Sequence, residues 1–343
     1  MTKKFDIVIG NPPYQEVSTG DATHAMPIYH LFMEAAYEVG KKAVLITPAR
    51  FLFNAGYTPK AWNEKMLADR HLTVPHYVSN SNDLFPGTDI MGGIAVTYHD
   101  EEHDGEPIGT FAKCQELNDI LDKVNVIKSG SLASEITSSR SYRYTDQMHA
   151  DHPSLASGMA AGEQYKINTR TFTQLSSLYY EERPVDNYQY AKVLGLIKNV
   201  RVYRWIRSDY IAGPESLGAF KVAIPKANGS SDLGGTGKPC ILEPLAAVTQ
   251  SFITVGSYGD QAEAAACFKY VKSKFARALL GILKITQDNP ARVWKYVPTQ
   301  DFTSASDIDW TKSIPEIDQQ LYAKYKLTSE EIDFIETQIK PMV

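Results

Sequence analysis

Apolar runs and stretches of helical spacing alternate over the first hundred residues. Phe5-Asp-Ile-Val-Ile9 is a short apolar run that stops at Gly10 and a proline pair, which predicts a buried strand ending in a turn. From Pro27 to Val39, Ile28, Leu31, Phe32, Ala35, Ala36 and Val39 recur at helical spacing behind a proline suited to a first turn. Ala43-Val-Leu-Ile-Thr47 predicts a second strand, halted by Pro48. A helix over Pro59 to Ala68 leads to a third strand near Leu72 to Val78, and Gly93 to Tyr98 predicts a fourth before the polar run His99 to Glu106. Strand–helix alternation with short connections implies a parallel α/β sheet with right-handed crossovers. Such a sheet binds ligands at the carboxyl ends of its strands, where Asn11 lies.

The pattern then loosens. Glu116 to Val126 reads as a helix, and Ser129 to Ala161, rich in Ser, Thr and Ala, reads as a linker or mobile loop. Beyond Lys192, short strands, the glycine turns of Asn228 to Lys238 and helices alternate without a repeat. Ala262 to Leu283 reads as a helix pair or one long helix. Ser329 to Lys340 predicts a terminal helix with Ser329 as its cap and Glu330 and Glu331 in its first turn. The expected division is an α/β domain over residues 1–125, a linker over 126–190, and an α+β domain over 191–343.

Composition narrows the class. An apolar fraction of 43% and a charged fraction of 22% are ordinary for a soluble globular protein. Cys114, Cys240 and Cys267 lie far apart without metal-ligand spacing, and His24, His30 and His76 have no close partners, so no metal site is expected. The chain opens directly into a strand, and no apolar run approaches the roughly 20 residues that span a bilayer. A cytoplasmic protein without a membrane partner is expected.

The net charge of −5 conceals two basic segments. From Lys192 to Lys226 there are seven basic residues against two acidic ones, and from Lys269 to Lys295 seven against Asp288 alone. Interleaved Tyr203, Trp205, Tyr210, Tyr270 and Trp294 make one phosphate-binding face conceivable, with Arg201, Arg204, Arg207, Lys272 and Lys274 as candidates. Plain solvated faces are the competing reading.

Candidate chemistry concentrates at Asn11-Pro12-Pro13-Tyr14. An exocyclic aromatic amine is a poor nucleophile, because its lone pair is delocalised into the ring. A site for it would accept hydrogen bonds from the amino group and hold the base flat against an aromatic ring. The Asn11 side-chain oxygen and the Pro12 carbonyl can be two acceptors, prolines fix the backbone direction, and Tyr14 supplies a stacking face. A rigid turn is the alternative use of the same residues.

Phe5-Asp-Ile-Val-Ile-Gly-Asn-Pro-Pro-Tyr14 resembles the catalytic motif of S-adenosylmethionine-dependent amino-methyltransferases. It is most similar to the gamma-ordered, adenine-specific enzymes of restriction–modification systems, including type IIG proteins. The resemblance implies that Asn11 and Pro12 bind the target amino group and that Tyr14 stacks on a flipped adenine in double-stranded DNA. It makes Phe32, in His30-Leu-Phe-Met-Glu34, the cofactor contact, although a core role on the helix stripe remains open. Ala43 to Phe51 resembles the next strand and loop, and Ile94 to Tyr98 the strand whose terminal aromatic packs on the base, which makes Tyr98 a second stacking candidate or an edge-packing residue. The implied fold is a partial Rossmann-like methyltransferase sheet followed by an α+β target-recognition domain, with Gly256 to Asp301 and Asp307 to Met342 resembling the recognition region.

The family's glycine-rich cofactor strand precedes the Asn-Pro-Pro-Tyr strand, whereas four residues precede Phe5 here. Phe252 to Gly259 and Gly229 to Gly237 lack the spacing to replace it. A fragment, a complementary chain carrying the cofactor half, or a non-catalytic DNA-recognition subunit are the three readings this leaves. Protein-glutamine and RNA methyltransferases share the tetrapeptide, but usually carry a short second domain or none.

Overall fold

The computed structural model describes residues 3–16, 25–112, 115–127, 130–157, 159, 162–228 and 232–342. His24 and Cys114 lie outside them. The chain forms two compact units, residues 1–118 and 119–343.

The first unit is built on a four-stranded sheet in the order β1-β2-β4-β3, formed by β1 (Phe5–Gly10), β2 (Gly40–Pro48), β3 (Leu72–Val78) and β4 (Ile94–Asp100). β1 and β2 are parallel, linked through α1 (Tyr29–Val39). The all-parallel expectation fails beyond them, because β4 is antiparallel to both β2 and β3. The cause lies in the connections. α2 (Lys60–Ala68) carries the chain from β2 to β3, but only a loop joins β3 to β4, and a loop without a crossover element returns the chain antiparallel. Gly93 closes that loop with φ +77; a Cβ there would sit 2.3 Å from the Val78 carbonyl oxygen, so only glycine fits.

Strand alternation divides the sheet into unlike faces. Ala43, Leu45, Thr47, Ala95 and Thr97 are buried on the face that α1 covers, where Tyr37 stacks on His99 at 4.1 Å. On the opposite face Phe5, Ile7 and Ile9 of the edge strand are 55%, 50% and 73% exposed, beside partly exposed Val44, Ile46, Val96 and Tyr98. Among the described residues this apolar edge is uncovered, and β1 pairs along only one side.

The second unit begins within α3 (Gln115–Ile127). The segment expected as a linker instead carries β5 (Ile136–Thr137), β6 (Arg143–Tyr144), α4 (Asp146–Asp151), α5 (Pro153–Ser157) and α6 (Thr171–Gln174). Its Tyr142, Tyr144, Met148, Phe172 and Tyr179 are buried in one cluster with β7 (Tyr190–Ile197) and β8 (Val200–Arg207). Spaced aromatics among polar residues, rather than a continuous apolar run, anchor this stretch. β9 (Ile211–Ala212) pairs with β6. β10 (Phe220–Pro225), β11 (Cys240–Leu242) and β13 (Phe252–Tyr258) make a sheet with β5, and β12 (Ala246–Val248) joins β7 and β8 in another.

The helices α7 (Gln261–Lys272) and α8 (Lys274–Leu283) are a pair broken at Ser273, whose hydroxyl caps α8. The Asp318 carboxylate on α9 (Ile314–Lys324) accepts the backbone N–H groups of Lys274 and Phe275 at 3.1 and 2.9 Å. α10 (Ser329–Gln338) is capped by Thr328, not Ser329: Thr328 and Glu331 form a reciprocal capping box. Lys221 is fully buried on β10 with Nζ 3.0 Å from the Ala219 carbonyl oxygen, and desolvation lowers its pKa to about 8.

Candidate active site

Asn11 to Tyr14 follow β1 at the carboxyl end of the parallel pair. Their course is fixed from both sides: the Tyr14 carbonyl accepts the Ile28 N–H at 3.2 Å, and Glu16 donates its N–H to the Met26 carbonyl at 2.9 Å. The prolines prevent this segment from continuing the ladder, so it turns away from the sheet and opens a cleft of about 720 Å³. That volume falls in the usual range for a small-ligand site, about 300–1,000 Å³.

The cleft is lined by Asn11, Pro12, Pro13 and Tyr14 on one side, and by Tyr29, Pro48, Arg50, Tyr57 and Thr58 on others, with Asp89 and Ile90 from the β3–β4 loop. Arg50 is held there by donating from Nε to the Met91 carbonyl at 2.7 Å. Tyr29 is almost wholly buried, packed against Phe51 and Trp62 at ring separations of 6.4 and 6.3 Å. Burial pushes its phenol up to about 12 and raises that of Tyr14, so both hydroxyls stay protonated at neutral pH. The Tyr14 hydroxyl lies beside the Asn11 side chain and the Tyr29 hydroxyl beside Thr58, and both oxygens are buried. Two neutral phenols, an exposed asparagine and the opposite charges of Arg50 and Asp89 make a polar wall suited to a flat, hydrogen-bonding ligand.

The other candidates lie elsewhere. Tyr98 pairs with Val44 in mid-sheet and donates its hydroxyl to Asp100 at 2.8 Å. Because β4 is antiparallel, Tyr98 lies four residues along β2 from Pro48, roughly 13 Å at strand rise, and it is absent from the cleft wall. Tyr98 was a stacking candidate by resemblance or an edge-packing residue, and the antiparallel course of β4 leaves it off this cleft wall. Phe32 is 43% exposed on α1 and is not a core residue of the stripe. Arg50, Tyr57, Asp89 and Ile90 were not singled out from sequence; Gly56, which adopts φ +87 and where an added Cβ would lie 3.3 Å from Arg50 Cδ, was the available local signal.

The basic candidates are mostly engaged within the protein. Arg204 pairs with Glu181 at 2.6 Å, on the opposite face of β8 from Arg201 and Arg207. Arg207 pairs with Asp209 and with Asp151 at 3.2 Å, and its guanidinium lies 3.8 Å over the Tyr188 ring. Arg201 donates to the Lys238 carbonyl. Lys272 sits over Phe268 and Lys274 bonds Glu336, on either side of the α7–α8 break.

Residues 1–85 match the family model described as Eco57I restriction-modification methylase, the stretch that holds Asn11 to Tyr14 and most of the cleft wall. The resemblance read from Phe5 to Tyr14 is thereby met by a restriction–modification methylase family. Over 108 residues the chain is 29% identical to an uncharacterized adenine-specific methylase of Mycoplasma pneumoniae, covering 31% of this chain and 26% of that protein. The solved type IIG restriction endonuclease BpuSI aligns with 96% of this chain and 52% of its own at 10% identity, with a TM-score of 0.37. The chain thus spans about a quarter of the methylase and about half of the endonuclease. No described helix is long and apolar enough to cross a membrane.

Proposed function

We infer that this chain carries the target-adenine site of a DNA adenine N6-methyltransferase of a restriction–modification system, acting on a base flipped out of duplex DNA. The observation that carries the reading is the cleft at the tip of β1, which joins Asn11, Pro12 and Tyr14 in one wall. In it the Asn11 side-chain oxygen and the Pro12 carbonyl accept the two N–H bonds of the adenine amino group. This localises the nitrogen lone pair and aims it out of the ring plane. Tyr14 takes the base face. Arg50 and Asp89 line the cleft with opposite charge.

S-adenosylmethionine would supply the electrophilic methyl group. The chain fits it only in part: Phe32 offers an exposed aromatic face, but none of the four strands of this sheet is followed by a glycine-rich turn. The rest of the donor site belongs to a complementary half, on this or another polypeptide. The uncovered β1 edge supports that arrangement. Fully burying an aliphatic side chain is worth about 1.5–3 kcal/mol, so covering half-exposed Phe5, Ile7 and Ile9 would stabilise such a junction by about 1 kcal/mol each. The location expected for such a protein is the cytoplasm.

Expression with its neighbouring reading frames in a host free of adenine methylation tests the reading. N6-methyladenine should appear at one recurrent sequence in the host genome; an unmodified genome despite folded protein contradicts it.

A further inference from the structure

The three-stranded sheet of the second unit exposes aromatic and cationic side chains on one face. Lys192 of β7 stands directly opposite Trp205 of β8, and Trp205 pairs on its other side with Tyr180 through two backbone hydrogen bonds of 2.8 Å. Directly paired residues point to the same face, so Lys192 on β7, Trp205 on β8 and the bridged Tyr180 form a row, with Tyr203 two residues away on that face. Lys192 Nζ lies 5.0 Å from the Trp205 ring centroid and 5.5 Å from that of Tyr203, and the Arg183 guanidinium lies 6.0 Å from Trp205. Tyr180 and Tyr203 are 44% and 39% exposed.

Lys192 and Arg183 differ in charge balance from the neighbouring arginines of β8. Arg204 and Arg207 are neutralised by Glu181, Asp151 and Asp209, but Lys192 and Arg183 have no carboxylate partner among the described residues and rest only on rings. Stem packing on aromatics orders these cations at little entropic cost while leaving their positive charge for an external anion. Exposed aromatics beside unpaired cations complement a nucleic-acid backbone, phosphates meeting the cations and sugar edges the rings. An apolar protein partner would leave the two charges buried without counter-ions.

We propose that the Lys192–Trp205–Tyr203 face, with Arg183, is the surface of the second unit that contacts the phosphate backbone of duplex DNA. This rests on the DNA reading above, but it locates the contact away from Arg204 and Lys274, whose charges are already paired with Glu181 and Glu336.

Tryptophan emission reports the face directly. Of the four tryptophans, Trp62, Trp294 and Trp310 are buried, leaving Trp205 as the accessible one. Duplex DNA titrated into the full chain should change its emission, and Trp205→Phe should remove that change while DNA binding persists. Lys192→Glu with Arg183→Glu, checked for an unchanged melting temperature, should weaken binding at least tenfold and lower the slope of log affinity against log salt by about two, near 0.9 per phosphate contact. Duplex binding with unaltered affinity and salt slope in the double variant overturns the proposed surface while leaving the DNA reading intact. If wild-type chain binds no duplex at low salt, both fail.

Discussion

Arg50 Nε donates to the Met91 carbonyl at 2.7 Å, and this bond ties the loop after β2 to the loop that returns β3 to β4. It brings Asp89 and Ile90 to the cleft wall opposite Asn11 and Tyr14. A hydrogen bond from a charged donor is worth about 1.5–3 kcal/mol. Arg50→Met should therefore weaken binding of the target base roughly tenfold or more with little loss of global stability. Affinity for duplexes carrying the modification sequence, alongside thermal unfolding, checks this; an unchanged affinity would mean the loop holds without Arg50.

Tyr14 separates ring from hydroxyl. Its hydroxyl lies beside the Asn11 side chain, and the residue lines the cleft. Aromatic stacking on a base contributes about 1–3 kcal/mol. Tyr14→Phe should keep most methyl transfer, and Tyr14→Ala should lose roughly 10- to 100-fold. Equal losses in the two variants would assign the role to the hydroxyl instead.

Gly93→Ala should destabilise the first unit by roughly 2 kcal/mol or more, since the new Cβ meets the Val78 carbonyl oxygen at 2.3 Å with φ +77. Thermal unfolding reads it. A loss below a few tenths of a kcal/mol would show that the β3–β4 loop relaxes freely.

Lys221 gives a pH signature. Its folded pKa, about 8, lies below the ordinary 10.5, so protonation favours the unfolded chain. The penalty is full below about pH 8 and fades as pH rises towards 10.5. The stability difference between wild type and Lys221→Met should therefore shift in favour of wild type over that window, by up to about 3 kcal/mol. Denaturant unfolding at pH 7.5 and 9.5 measures it; a pH-independent difference would mean that Lys221 titrates normally.

The first unit was largely legible in the sequence because short apolar runs and helical spacing dominate it. β3 begins and ends where expected, and α2 within a residue. Strand direction was not legible in the same way. It depended on whether Ser79 to Gly93 held a crossover element, and the lack of helical spacing there, followed by Gly92-Gly93, was the sign that it did not. Asn11 to Tyr14 could be singled out as a candidate because its chemistry is local. Arg50, Asp89 and Ile90 could not, because three separate loops meet only through the hairpin. Residues 126–190 looked like a linker because their buried tyrosines are dispersed among polar residues, and dispersed anchors carry no period. The Thr328 cap was visible in the Thr-x-x-Glu spacing to Glu331, one residue before the cap inferred from Ser329.

Ile9 is 73% exposed on the free edge, so Ile9→Thr should leave the isolated chain's stability within about 0.5 kcal/mol. It should also reduce self-association and binding of a fluorescent apolar dye. A loss of more than about 1 kcal/mol would mean that this edge is already covered in the free protein.

On the proposed function, Asn11 holds the amino group that is methylated. Purified wild type and Asn11→Ala, each supplemented with the complementary cofactor-binding segment, should be compared on unmodified genomic DNA with isotope-labelled S-adenosylmethionine. Wild type should place label on adenine N6, and Asn11→Ala should fall by at least about 100-fold while binding DNA equally well, as expected for lost transition-state contacts. Label on adenine that survives Asn11→Ala, or label found on another base, would contradict the account.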